Sequence, residues 1–99
     1  MQRFGDQTVA IRVSAYETFA VVLAGNPSTG YSWQVDVDFQ HLELLEQTFE
    51  PAGEGIGAGG EEVFRFRARA TGETRIACEY RRPWDKKARD TKHFRVVID

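Results

Sequence analysis

The chain has 99 residues, enough for one packed core and too few for a second domain, so residues 1–99 are expected to fold as a single domain. Its 41% apolar content, with two Trp, three Tyr and seven Phe spread along it, excludes a disordered chain, and a formal net charge of −2 excludes bulk attraction to phosphate backbones or anionic lipid. The single cysteine, Cys78, permits no intrachain disulfide, which leaves stability to packing.

The opening Met1-Gln2-Arg3-Phe4-Gly5-Asp6 lacks the apolar run of a signal peptide, and no window approaches the ~18 apolar residues of a membrane span. A soluble chain with no membrane partner is expected, cytoplasmic by default and periplasmic or secreted if a leader has been removed. Composition leaves the compartment itself unknown, and a monomer is the default oligomeric state.

Period-two alternation dominates the rest of the chain. Val9, Ile11 and Val13 alternate with Ala10 and Arg12, and Phe19, Val21 and Leu23 alternate with Ala20 and Val22, which predicts two strands. Tyr31, Trp33, Val35 and Val37 alternate with Ser32, Gln34 and Asp36, a third strand with one apolar and one polar face. From His41 to Phe49 the pattern fits either a helical stripe (Leu42, Leu45, Phe49) or a strand whose apolar set switches face at a bulge; the strand is preferred. Phe64 to Ala70, Ile76 to Tyr80 and Phe94 to Ile98 alternate in turn and complete seven predicted strands.

Seven short strands without a strongly helical segment predict an all-β fold, a seven-stranded antiparallel immunoglobulin-like β-sandwich. If every strand crosses the whole sandwich, successive connections alternate between its ends. The second, fourth and sixth connections, residues 24–30, 50–61 and 81–90, then share one end, and they are the three most unusual segments of the chain.

Asn26-Pro27-Ser28-Thr29-Gly30 is dense in turn formers and predicts a stiff projecting loop, with an ordinary hairpin connection as the plainer reading. Pro51 to Gly60 reads PAGEGIGAGG, nearly devoid of side-chain volume; it is either a tolerated insertion or a backbone surface able to pair with a cleft wall like an added strand. Arg82-Pro83-Trp84 sets a tryptophan beside an arginine in a loop, the composition of an interface anchor, unless Trp84 folds back on the sandwich edge.

No catalytic constellation emerges, so an enzyme is not expected. Cys78 shares an alternating face with Ile76 and Tyr80 and reads as a core residue. His41 and His93 lie on separate strands and make no metal set with one cysteine, while Glu61 and Glu62, adjacent in a strand, should face opposite ways. No metal and no cofactor are expected. A binding module that uses Trp84 and its basic neighbours Arg81, Arg82, Lys86, Lys87 and Arg89 for nucleic acid or carbohydrate is the alternative; the acidic balance and the single exposed aromatic argue against it, and no nucleic-acid partner is expected.

Taken together, Asn26-Pro27-Ser28-Thr29-Gly30-Tyr31 with Trp33, then Gly57-Ala58-Gly59-Gly60, then Arg82-Pro83-Trp84 resemble, in order and separation, the three loop motifs of the chagasin-type inhibitors of cysteine peptidases. The resemblance covers essentially the whole chain. It implies an immunoglobulin-like inhibitor that blocks a papain-like cysteine peptidase reversibly and competitively. It also implies that Ser28 and Thr29 lie over the target's catalytic cysteine, Gly57 to Gly60 along the non-primed side, and Arg82, Pro83 and Trp84 over the primed side. Ser28 stands where the family commonly has threonine, a difference of one methyl.

Overall fold

A computed structural model describes residues 1–6, 8, 10–53 and 59–99; Val9, Gly57 and Ala58, each expected to take part in a strand or a binding loop, lie outside the described residues. Eight strands are present among the described residues: β1 (Gln2–Phe4), β2 (Ala10–Val13), β3 (Thr18–Gly25), β4 (Ser32–Val37), β5 (Leu42–Pro51), β6 (Gly60–Ala68), β7 (Gly72–Arg81) and β8 (Asp90–Ile98). A single 3-10 turn, Pro27–Thr29, separates β3 from β4. The strands form two four-stranded sheets, β1-β3-β6-β5 and β2-β8-β7-β4, packed as an immunoglobulin-like sandwich.

Two features depart from the seven-stranded antiparallel expectation. β1 is an additional strand, three residues long, too short for alternation to show. It is held by pairing with β3 and by Phe4, whose ring meets Phe19 edge-on at 6.0 Å. Second, β1 runs parallel to β3 and β2 parallel to β8, because the N-terminal segment divides itself between the edges of both sheets. All other pairings are antiparallel.

Boundaries also move. Tyr31 and His41 sit just outside β4 and β5, and β6 starts at Gly60 and stops at Ala68, so the loop expected over 50–61 spans only the residues between Pro51 and Gly60. Within β5 the register shifts between Leu44 and Glu46, leaving Leu45 as the extra residue of the bulge its face-switching pattern implies.

The inward positions of the alternating strands make the core. Phe19 and Phe66 stack across neighbouring strands at 5.6 Å, and Phe64, Phe94, Ile11, Leu23, Leu42 and Ile76 are fully buried around them. Trp33 is 4% exposed and Cys78 is 0% exposed, as their strand faces require. Ala20 and Val22, expected on the outward face of their strand, are buried as well, in a small cluster with Val63 on that outer side.

Burial pushes the Cys78 thiol up to about 12, with Lys92 pulling slightly the other way. A buried thiol of that kind is inert. Native protein should resist a thiol reagent until denaturant is added, and Cys78→Ala should lower unfolding free energy by about 1–2 kcal/mol. Trp33→Ala should cost more, about 3–5 kcal/mol, because a larger cavity remains. Denaturant melts of both variants check the order.

Candidate functional site

The three unusual connections do share an end. Gly25, Gly60 and Pro51 are register neighbours across one sheet, and Ser32, Arg81 and the Tyr80–Asp90 pair mark the corresponding end of the other. The connections 26–31, 52–59 and 82–89 therefore leave the sandwich together.

The first loop is locked by its own polar groups. Asn26 caps the 3-10 turn: its Oδ1 accepts from the Ser28 backbone N–H at 3.2 Å and from Ser28 Oγ at 2.6 Å. Thr29 Oγ1 donates to the Asn26 carbonyl at 2.7 Å, and the Thr29 and Gly30 backbone N–H groups donate to Asn26 and Pro27 carbonyls at 3.1 and 3.0 Å. Pro27 fixes the entry, and Gly30 leaves at φ +83°, a left-handed conformation that favours glycine. With their hydroxyls turned back into the turn, Ser28 and Thr29 remain exposed at its tip.

Beneath this loop the two sheets are tied together. Trp33 Nε1 donates to the Ala24 carbonyl at 2.8 Å, and the Trp33 backbone N–H donates to Glu62 Oε2 at 3.0 Å. Glu62 is 6% exposed, and it occupies the space over Gly25, where a Cβ would come within 2.8 Å of its Oε2. Tyr80 adds a second tie, since its hydroxyl accepts the Asn26 N–H at 3.2 Å while its ring meets Tyr31 at 5.3 Å and Trp33 at 5.0 Å.

Of the second loop, Gly59 and Gly60 are described. The Gly59 carbonyl accepts the Ala52 N–H at 3.0 Å, and Gly59 itself, at φ +72°, sits against Gly25 and Asn26 of the first loop. A Cβ on Gly60 would lie 2.2 Å from the Glu50 carbonyl oxygen, so only glycine fits. The third loop braces itself through Arg82, whose Nε and Nη2 bond to Asp85 at 3.0 and 3.3 Å. That pairing holds the Asp85 carboxyl below the usual carboxylate range. The Arg82 guanidinium also lies over Tyr31 at 5.0 Å and near Trp84 at 5.4 Å. Trp84 does not fold back as a core residue: it is 70% exposed.

Asn26, Pro27, Ser28, Thr29, Gly30, Tyr31, Gly59, Gly60, Arg82, Pro83 and Trp84 are thus gathered at one end. Glu62, Tyr80 and Gly25, which hold them there, are not apparent as site residues in the sequence. The one available signal is that Glu62 shares the inward alternation of Phe64, Phe66 and Ala68, an unusual place for a carboxylate. Among the described residues no three His, Cys, Asp or Glu side chains are grouped to hold a metal ion.

Burial raises the Glu62 pKa above its ordinary 4.5, and the Trp33 N–H opposes this only in part. Stability from this carboxyl is therefore full below about 4.5 and lost as pH rises through the raised folded-state value. Glu62→Gln keeps an acceptor for Trp33 without the charge, so its melting temperature should gain on the wild type as pH rises from 4 toward 8. Glu62→Ala leaves the Trp33 N–H unpaired and should lose about 1–3 kcal/mol. Thermal melts across that pH range test both.

Comparison with known proteins shows the family and the fold. The chain is 35% identical to Amoebiasin-1 of Entamoeba histolytica over 86 residues, covering 86% of this chain and 84% of that one. It is 27% identical to Chagasin of Trypanosoma cruzi over 94 residues, covering 89% and 86%. The crystal structure of a cysteine protease inhibitor from Entamoeba histolytica superposes with a TM-score of 0.86 at 25% identity, covering 99% of this chain and 95% of that one. The family model described as Chagasin family peptidase inhibitor I42 matches residues 12–98, and the chain belongs to that family.

Proposed function

We propose that this chain is a reversible, competitive protein inhibitor of papain-like cysteine peptidases, not an enzyme, and that it fills the active-site cleft with the loops at 24–30, 50–61 and 81–90. The peptidase class rests on family membership and on the similar solved protein, itself a cysteine protease inhibitor. The observation that carries the proposal is the convergence at one end of a locked turn, the glycines Gly59 and Gly60, and an exposed Trp beside a braced Arg.

In this arrangement Ser28 and Thr29 meet the catalytic cysteine, the strip 57–60 follows the non-primed side, and Arg82, Pro83 and Trp84 cover the primed side. A turn already closed by its own hydrogen bonds loses little entropy on docking, which is how preorganisation raises affinity. The same lock explains why such a loop is not cut. Cleavage needs a carbonyl presented to the nucleophile at about 3–3.5 Å in the right alignment, and a backbone held in a 3-10 turn does not relax into the extended form that presents it.

The purified chain should inhibit papain-like peptidases competitively and leave serine peptidases untouched. Nanomolar affinity corresponds to about −12 kcal/mol, within reach of an interface of about 800 Å² per partner. No inhibition of any papain-like enzyme at micromolar concentration sinks the proposal. Trp84→Ala should weaken binding by about 2 kcal/mol through a faster off-rate while the melting temperature stays near that of the wild type. Loss of folding with unchanged inhibition by the folded fraction would contradict the role given to Trp84.

A further inference from the structure

The binding end has an uneven charge that its three motifs do not account for. Six of the 13 Lys and Arg side chains are ion-paired, each with a neighbouring carboxylate. Of the seven without such a pair among the described residues, Arg81 at the end of β7 and Lys86, Lys87 and Arg89 in the third loop fall in one short stretch. The segment 81–90 carries five cations against Asp85 and Asp90, a net +3 in a chain whose total is −2. Asp85 is already engaged by Arg82, and Asp90 Oδ1 accepts the Thr91 N–H.

The neighbouring loops do not cancel this field. Residues 24–30 carry no charged side chain. Beside the second loop, Glu50 is taken by Arg3 at 3.0 Å, and Glu61 is exposed on β6. The binding end is therefore cationic on the side of the third loop and neutral to acidic on the side of the second. Lys86, Lys87 and Arg89 are all exposed, and Arg89 is drawn toward the site, its guanidinium 5.2 Å from the Tyr31 ring centre. Among the described residues, no hydrogen bond, ion pair or ring contact joins Lys86 or Lys87 to the loop's bracing.

We propose that Lys86 and Lys87 form a steering arm that selects papain-like peptidases with acidic side chains on the cleft rim facing the third loop. Charges at the rim of an interface act on the rate and salt dependence of encounter more than on residence time. Within a Debye length of about 8–10 Å, a cationic arm beside the uncharged first loop orients the inhibitor before the loops enter the cleft. The steering arm rests on the inhibitor function proposed for this end and adds the chemistry of the preferred target.

The test uses stopped-flow association with a papain-like peptidase that has acidic residues on that rim and with its variant in which they are replaced by amides. The intact inhibitor should associate with the acidic-rim enzyme about tenfold faster at low ionic strength, and the gap should close as salt is added. Lys86→Gln/Lys87→Gln should abolish the gap while leaving the dissociation rate unchanged. Equal association rates of wild-type and double-variant inhibitor with the acidic-rim enzyme at low salt would overturn the steering arm, with inhibition itself intact. So would binding of a single-stranded oligonucleotide that the double variant loses while its peptidase kinetics do not change. Absence of inhibition by the wild type toward either enzyme would overturn the inhibitor function, and the arm with it.

Discussion

Trp33 carries one donor on its backbone and another on its ring, and both leave β4 for the opposite sheet. The indole N–H reaches the Ala24 carbonyl on β3 and the backbone N–H reaches the Glu62 carboxylate on β6. β4 is an edge strand, so without these bonds its first residues would be tied to the fold through β7 alone. The connection that crosses between the sheets here is also the loop that carries Asn26 to Gly30. Fixing the crossing fixes the loop, and the cost is a carboxylate kept nearly out of water.

The other two loops take their positions from the same place. Gly59 lies against Gly25 and Asn26 because neither glycine has a side chain to hold the strands apart, and Glu62, two residues beyond Gly60, closes that approach from below. On the other flank Tyr80 uses its hydroxyl for Asn26, its ring for Tyr31 and Trp33, and its carbonyl for the Arg89 N–H at 2.8 Å. The described residues of three segments far apart in sequence are thereby joined, with Tyr31 receiving the guanidinium of Arg82 on behalf of the third loop. Association then orders few side chains that are not already ordered, which is where a loop-built interface otherwise loses affinity.

Much of this was legible from one sequence because period-two alternation is a direct consequence of a strand with one buried face. Trp33, Cys78 and Phe94 are buried where that rule puts them, and even the bulge at Leu45 left its mark as a change of face. The strand Gln2–Phe4 left none, since three residues are too few to alternate and its existence depends on register partners 17 residues away. Parallel pairing at the two edges was equally silent, because side-chain pattern reports which face is buried and not which direction a neighbour runs. At the site, turn chemistry exposed the loops themselves. Their supports stayed hidden, because Tyr80 and Glu62 become site residues only through contacts with Asn26 and Trp33, at separations of 54 and 29 residues.

The division between support and contact has a further physical consequence. Residues that hold the loops are buried and polar or tightly packed, so a change in Glu62, Gly60 or Trp33 is felt first as lost stability. Pro83 and Trp84 project and are exposed, so the fold places little demand on their identity, whereas Ser28 and Thr29 are exposed but keep their hydroxyls on Asn26 and so must remain hydroxyl-bearing for the turn to stay closed. A scaffold arranged this way can vary its contact surface one exposed side chain at a time. What it cannot vary freely is the hydrogen-bonded turn behind that surface, since Asn26 and Gly30 are held by geometry that few other residues satisfy. The chemistry offered to a target is thus adjustable, whereas the shape of the wedge is set by the fold.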